Sequence, residues 1–326
     1  EEVWISVPQS DVGGEDVGAV YRRWLGQSIR LPIPEDLIRR ANFGSALAMS
    51  SDFGVIGAPG GPGAAYLYQR EEGDWKPWKR LLPQEEKPTS EFGCVITAVG
   101  KDIFVSDRKG SVYHFNAKTG EQVDVLTSSN QEFGRVLASE SNVLAIASFG
   151  SVHLYTCQAD ATWALANVLP VNSVRPLALA FAPGAEWLAV GTGLEEIGLY
   201  QMDGAGQWTP FAELRAPSDE TAKFGASLSF ASTDRLLIGA PETTWEGKRT
   251  GVAYLYERED EAWTLRRTII PEKGSHAGTF GSAIATEGDT AWISGAHDHT
   301  DRPGGGAVFP VILPRFEDQR FETMAD

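Results

Sequence analysis

The sequence predicts an all-β fold, a seven-bladed β-propeller of four-stranded antiparallel blades, from three observations. First, a Phe-Gly pair recurs along the chain, with a degenerate copy near Leu177; the clear copies begin at Phe43, Phe92, Phe133, Phe224 and Phe280. Second, the copies follow one another at roughly 40 to 50 residues, which is the period of a four-stranded propeller blade. Third, no stripe of apolar residues recurs at helical spacing, as a helical solenoid would require.

Each repeat unit contains four short segments with the character of strands. An alternating segment follows the Phe-Gly pair, and a second apolar run ends in small residues, as at 55–59 and 237–241. The third segment begins with glycine and is rich in aromatic residues, as at 63–68 and 251–256. The fourth contains Trp and ends near a Leu-Pro or Ile-Pro pair, as at 75–83. Short strands separated by turn residues are typical of propeller blades.

The N-terminal unit lacks its first strand, because residues 3–7, 18–23 and 28–32 correspond to a second, third and fourth strand. The one helical turn that the sequence predicts runs over 34–40. We expect the N- and C-terminal segments to close the ring together, with 315–323 either completing the last blade or supplying the missing strand, because both arrangements protect sheet edges.

The count of third-strand segments predicts seven blades in one domain over residues 1–326. These segments begin at Gly18, Gly63, Gly110, Gly150, Ile197, Gly251 and Gly306. The expected blades are 1–42, 43–91, 92–132, 133–176, 177–223, 224–279 and 280–326.

The order of Phe-Gly, a strand, Gly-Ala-Pro and then Gly-x-x-Tyr-x-Tyr resembles the FG-GAP repeat of the integrin α-subunit propeller, and most of all its bacterial relatives. The best copies begin at Phe43, Phe224 and Phe280, whereas the blades beginning at Phe92, Phe133 and Leu177 have lost the Gly-Ala-Pro box. The resemblance implies a propeller that binds a protein or cell-surface partner, and it favours an extracellular or periplasmic location.

Integrin-type blades often carry Asp-x-Asp-x-Asp-Gly between the first and second strands, where carboxylates surround Ca²⁺. The corresponding turns here are short and poor in carboxylates, as at Ser50-Ser51-Asp52 and Ser232-Thr233-Asp234. We therefore expect no calcium site at this position, and no metal or other cofactor.

Charge and composition narrow the class of partner. The 326 residues include 28 Lys and Arg against 44 Asp and Glu, a net charge of −16, which argues against the nucleic-acid backbone as a partner. No apolar run is long enough for a transmembrane helix. The two cysteines, Cys94 and Cys157, fall at different positions of successive repeats, which favours two unpaired side chains over a disulfide.

The connections between second and third strands predict a binding surface, because loops on a rigid scaffold often carry binding residues. They are long at 8–17, 241–250 and 296–305, which belong to blades one, six and seven, neighbours in a closed propeller. Tolerated insertions are the competing interpretation. The candidate partner-binding residues are Trp245, Arg249, His297, Asp298, His299, Asp301, Arg302, Asp11 and Asp16.

Two residue patterns in the chain contain side chains that are suited to other chemistry. The run from His297 to Asp301 has side chains that could bind a transition metal, but its spacing favours a solvated polar loop. Trp75, Trp163, Trp208 and Trp263 occupy equivalent positions, which favours blade packing over a sugar platform. Trp245 and Trp78 fall outside that position and are the better ligand candidates.

The leading hypothesis is a non-catalytic interaction module that presents the loops of blades six, seven and one to a protein or glycan partner. A carbohydrate-binding propeller is the alternative, since aromatic faces and carboxylates suit sugar rings. An enzyme that uses the central funnel is a third possibility, which would require titratable groups with shifted pKa values at the axis.

Overall fold

The computed structural model describes residues 2–11, 14–24, 26–84, 91–107, 109–171, 175–218, 221–271, 279–298 and 305–313. These residues form seven antiparallel sheets of three or four strands, the blades of a seven-bladed β-propeller, as the repeat predicted. Contacts divide the chain into two compact units, Glu1–Pro176 and Leu177–Asp326. Within the described residues, no helix has the length and apolar character needed to cross a membrane.

The first unit contains blades one to four. Blade one is β1 (Glu2–Val7), β2 (Ala19–Trp24) and β3 (Gln27–Arg30). Blade two is β4 (Leu47–Met49), β5 (Phe53–Ala58), β6 (Ala64–Glu71) and β7 (Asp74–Leu81). Blade three is β8 (Val95–Val99), β9 (Asp102–Ser106), β10 (Ser111–Asn116) and β11 (Glu121–Thr127). Blade four is β12 (Leu137–Glu140), β13 (Val143–Ser148), β14 (Ser151–Cys157) and β15 (Trp163–Pro170). Each strand pairs with the next along the chain.

The second unit contains blades five to seven. Blade five is β16 (Ala178–Phe181), β17 (Trp187–Gly191), β18 (Glu196–Met202) and β19 (Trp208–Arg215). Blade six is β20 (Ser227–Ser232), β21 (Arg235–Ala240), β24 (Val252–Glu259) and β25 (Ala262–Ile269), with the short strands β22 (Thr244–Trp245) and β23 (Lys248–Arg249) paired between them. Blade seven is β26 (Thr279–Glu287), β27 (Thr290–Asp298) and β28 (Gly305–Ile312).

The hydrophobic core lies between successive blades of each unit. The Phe of every clear Phe-Gly pair is buried there, at most 1% exposed; these residues are Phe43, Phe92, Phe133, Phe224 and Phe280. Burial of one such ring contributes roughly 1.5–3 kcal/mol. The Phe-Gly repeat is therefore a pattern of core positions. This explains why the pair is present at Phe92 and Phe133 although those blades lack the Gly-Ala-Pro box.

The Gly of the Gly-Ala-Pro box lies against the backbone of the next Phe-Gly pair. A Cβ atom added to Gly57 would lie 1.9 Å from the carbonyl oxygen of Gly93, and one on Gly239 would lie 2.1 Å from that of Gly281. Gly191 keeps the same contact at 2.0 Å with its counterpart in blade six. Only glycine permits this approach, so the box marks a backbone joint between blades.

The expected roles of the repeated tryptophans and of the cysteines are confirmed for the residues that the structure describes. Trp75, Trp163 and Trp208 are buried near the starts of the fourth strands of their blades. Trp263, their counterpart in blade six, is half-buried and packs against the core of the second unit. Cys94 and Cys157 are not joined by a disulfide.

The structure corrects three local predictions. Residues 34–40 form turns and no helix, because Arg40 takes a left-handed φ of 57° and its N–H donates to the Glu15 carbonyl at 2.9 Å. The helical turn in the described chain is a 3-10 turn at Pro183–Ala185. The predicted loop at 241–250 contains the paired strands β22 and β23, and the loop after Ala296 starts later because β27 continues to Asp298.

Residues 315–323 lie outside the described part of the chain. Ring closure by the two ends, and the assignment of one domain with the seven stated blade boundaries, stay predictions.

Candidate functional site

The predicted partner-binding residues fall in three places. Trp245 and Arg249 lie on the β22–β23 hairpin, and Asp11 and Asp16 lie in the connection between β1 and β2. The backbone of residues 297–298 belongs to the end of β27. His299, Asp301 and Arg302 lie outside the described residues, so the proposed convergence of the three loops stays a prediction.

The β22–β23 hairpin is a compact two-residue hairpin. Trp245 pairs with Lys248, and the two residues between them, Glu246 and Gly247, have φ values of 49° and 75°. Positive φ at both central residues is the mark of a type I′ turn, whose twist matches the right-handed twist of strands. The chain therefore has local reasons to form this hairpin.

The hairpin presents exposed side chains. Trp245 is 37% exposed, and Lys248 and Arg249 are also exposed. The Arg249 guanidinium forms a 2.8 Å ion pair with Glu242, which precedes β22. This ion pair joins the end of β23 to the start of the connection and limits the positions that Arg249 can take.

A buried threonine anchors the base of the hairpin. Thr243 is 1% exposed, and its Oγ1 accepts a hydrogen bond of 3.2 Å from the Ala222 N–H. Its carbonyl accepts a 3.1 Å hydrogen bond from the N–H of Gly251, which closes the connection. These two hydrogen bonds fix the position of the hairpin's base within the second unit.

The acidic residues predicted in blade one take part in local structure. The Asp11 carboxylate accepts a 2.9 Å hydrogen bond from the Asp16 N–H, which closes a turn. Asp16 has a φ of 48°, and its carbonyl accepts a bond from the Asn42 N–H. Short polar side chains tolerate this conformation, so a role in the turn accounts for both residues.

A cleft lies beside Trp78, the second tryptophan that falls outside the repeat. Its volume is about 450 Å³. Residues 32–36, which follow blade one, form one wall, and the outer strand β7 forms the other; the lining residues are Pro32, Ile33, Pro34, Glu35, Asp36, Tyr66, Pro77, Trp78, Lys79 and Arg80. Trp78 is 41% exposed, whereas Trp75 on the same strand is 2% exposed.

A β-bulge accounts for the exposure of Trp78. In the β6–β7 pairing, Leu67 is opposite Lys79 and Tyr68 is opposite Pro77, so Trp78 is the extra residue. The other four-stranded blades carry a bulge at the same place. In blade five the extra residue, Phe211, packs on Trp187 with 4.8 Å between ring centroids. In blade two the corresponding bulge residue is Trp78, whose indole is exposed.

Polar groups lie at the side of this cleft. Arg80 Nη1 donates a 3.1 Å hydrogen bond to Asp36 Oδ2, and the Asp36 carboxylate also bonds the Tyr66 side chain. Burial raises the pKa of Tyr66 to about 12, with Arg80 opposing the rise and Asp36 adding to it. Tyr66 therefore stays a neutral hydroxyl across the physiological pH range.

Blade four contains a serine–histidine network that sequence reasoning missed. His153 Nε2 lies 3.1 Å from Ser148 Oγ and 3.3 Å from Ser151 Oγ, and the Asn130 amide nitrogen is 3.2 Å away. Burial lowers the pKa of His153, which favours the neutral ring. Ser148 is fully buried, so this geometry fits a structural network better than an accessible nucleophile.

A sequence signal for this network existed. His153 occupies the position in the third strand that Tyr66, Tyr113 and Tyr254 occupy in other blades. A polar ring at a position that is otherwise aromatic needs hydrogen-bond partners once it is buried.

Metal binding has no support among the residues that the structure describes, where no group of three or more His, Cys, Asp or Glu could hold an ion. The His297–Asp301 run lies largely beyond those residues. The expected absence of calcium and of cofactors stays a prediction.

Comparisons with known proteins bear on the fold alone. No protein-family model matches the sequence, and no curated protein is significantly similar to it. Among solved structures, a chain of the mitotic checkpoint complex is 14% identical with a TM-score of 0.65, over 90% of this chain and 80% of that chain. A protein from Lactobacillus plantarum is 14% identical with a TM-score of 0.63, over 96% of this chain and 97% of that one. At this identity the likeness shows that the chain has a seven-bladed β-propeller fold.

Proposed function

We propose that this chain is a non-catalytic interaction module that binds a protein partner through the β22–β23 hairpin. The observation that carries the proposal is the exposed Trp245 beside Lys248 and Arg249 on a hairpin with a type I′ turn and a buried anchor. Trp and Arg are enriched among the residues that dominate the binding energy of protein interfaces.

The hairpin is suited to binding because its conformation is set before a partner arrives. The turn, the Glu242–Arg249 ion pair and the Thr243 anchor all restrict the backbone or side chains of the connection. Prior ordering reduces the entropy that association loses, so less of the contact energy is spent on organising the loop.

The partner that fits this surface is a folded protein with an apolar pocket and nearby carboxylates. The indole of Trp245 would fill the pocket, and the Arg249 guanidinium can bond a carboxylate with two parallel N–H groups. The second-to-third-strand loops of blades seven and one, which the sequence also predicted as binding loops, stay candidates for contact with the same partner.

The resemblance to FG-GAP repeats supports this class of function. The glycine joints at Gly57 and Gly239 explain why the Gly-Ala-Pro box occurs where it does. We therefore propose an FG-GAP-type, integrin-like propeller with an adhesive role outside the cytoplasm.

The test is affinity capture from an extract of the source cells, followed by measurement with the purified partner. Trp245→Ala is compared with Trp24→Ala, which removes a 47% exposed tryptophan from blade one. We expect a partner that the Trp24→Ala protein retains and the Trp245→Ala protein loses, with a cost of about 1–3 kcal/mol in binding. Equal capture by both folded variants would overturn the proposal.

A further inference from the structure

The cleft beside Trp78 has features of a ligand site that the hairpin proposal does not use. Its aromatic wall is the exposed indole of Trp78, which the bulge leaves outside the regular β6–β7 pairing. Bulges often redirect a side chain near functional sites. The indole face is thereby available to a ligand lying in the cleft.

The opposite wall is held in place by contacts along its length. Tyr68 Oη donates a 2.5 Å hydrogen bond to the Pro32 carbonyl, and Arg80 bonds Asp36 at 3.1 Å. Beyond Asp36, the N–H of Gly60 donates to the Ala41 carbonyl at 2.9 Å. These contacts fix the segment after blade one against blade two, so both walls of the cleft are in place before a ligand binds.

The charges on the lining residues balance. Glu35 and Asp36 contribute two carboxylates, and Lys79 and Arg80 contribute two cations. A strongly charged ligand would have to compete with the Asp36–Arg80 ion pair, whereas a neutral ligand can use its remaining hydrogen-bonding capacity. This balance favours a neutral ligand with several hydroxyl groups.

We propose that the cleft binds a neutral oligosaccharide, with one pyranose ring stacked on Trp78 and its hydroxyls bonded to Asp36 and Arg80. The apolar face of a sugar ring packs on the indole, and adjacent hydroxyls both donate to the carboxylate and accept from the guanidinium. The cleft volume of about 450 Å³ lies within the range of small-molecule sites.

A proline-rich peptide is the alternative occupant of an aromatic groove. Proline residues have no backbone N–H, so such a segment offers no donor to the Asp36 carboxylate. The hydrogen-bonding groups of the cleft thus favour the saccharide.

The test is isothermal titration calorimetry of the full chain with neutral tetrasaccharides of glucose, mannose, galactose, xylose and N-acetylglucosamine, and with decaproline. We expect at least one tetrasaccharide to bind. Trp78→Ala should weaken that binding at least tenfold, Trp78→Phe should retain most of it, and Asp36→Asn should weaken it with little change in melting temperature.

Trp24→Ala is the matched control, because it removes a 47% exposed tryptophan that does not line the cleft and should leave saccharide affinity unchanged. The β22–β23 hairpin takes no part in the saccharide titration. Failure of the protein-partner proposal is thus separate from failure of this one. No binding by any tetrasaccharide, equal affinity of the Trp78→Ala protein, or binding of decaproline alone would overturn the assignment.

Discussion

Blades two and six enter their second-to-third-strand connections through the same Gly-Ala-Pro box, but the two connections are placed differently. In blade two the short turn packs on the preceding chain, where a Cβ on Gly60 would lie 1.7 Å from the Arg40 carbonyl oxygen. In blade six the connection forms the β22–β23 hairpin, and a Cβ on Gly247 would meet no atom within 4 Å. The same motif therefore leads to a turn packed against residues 40–41 in blade two, which we call the buttress, and to an exposed hairpin in blade six.

The comparison distinguishes glycines that allow two backbone segments to pack closely from a glycine that only allows a turn to form. Gly239 and Gly60 are limited by neighbouring backbone, whereas Gly247 is limited only by its own φ of 75°. Gly239 is buried within a central strand, whereas Gly60 lies in a half-buried turn that can shift more easily. We therefore expect substitutions to cost most at Gly239, less at Gly60 and least at Gly247.

The largest effect is expected at the joint between blades six and seven. Gly239→Ala would place a Cβ 2.1 Å from the Gly281 carbonyl oxygen and 2.2 Å from Ser227 Oγ. Because backbone must move, we expect the free energy of unfolding to fall by about 2–4 kcal/mol in urea denaturation. Gly204→Ala is the control, since a Cβ there meets no atom within 4 Å. Equal stability of the two variants would show that blades six and seven do not need this glycine.

An intermediate effect is expected in the buttress of blade two. Gly60→Ala should displace residues 40–41 and lower the free energy of unfolding by about 1–3 kcal/mol. Because the same segment leads back to the cleft wall at Asp36, we also expect weaker binding of the saccharide identified with the wild type. Calorimetry and urea denaturation measure the two effects. A change below about 0.5 kcal/mol would contradict the packing role.

The smallest effect on stability is expected in the hairpin. Gly247→Val should cost about 1–2 kcal/mol locally, because a β-branched residue is strained at a positive φ. Hydrogen exchange at residues 244–249 should accelerate while the strands of blade six keep their protection. Gly247→Asn is the matched control, since Asn tolerates this conformation. Unchanged exchange in the valine variant would mean that the turn does not hold the hairpin together.

The repeat made much of the fold predictable, because core burial recurs at each Phe-Gly pair. The number of blades, the three-stranded first sheet and the buried tryptophans all follow from positions that repeat with the blade. The helical turn expected at 34–40 failed, since the Arg40 N–H bonds the distant Glu15 carbonyl rather than a carbonyl of its own segment. Periodicity contains no information about such a partner.

Exposed side chains at irregular positions, Trp78 and Trp245, were identifiable from the sequence as departures from the repeat. Their surroundings were not. The cleft joins residues 32–36 to Tyr66 and Arg80, and only the packing of blade one on blade two brings these segments together. The sequence by itself determined the architecture, because the same buried positions recur in each blade. Tertiary structure decided the site, because a cleft consists of groups that are distant along the chain and meet only when the blades pack.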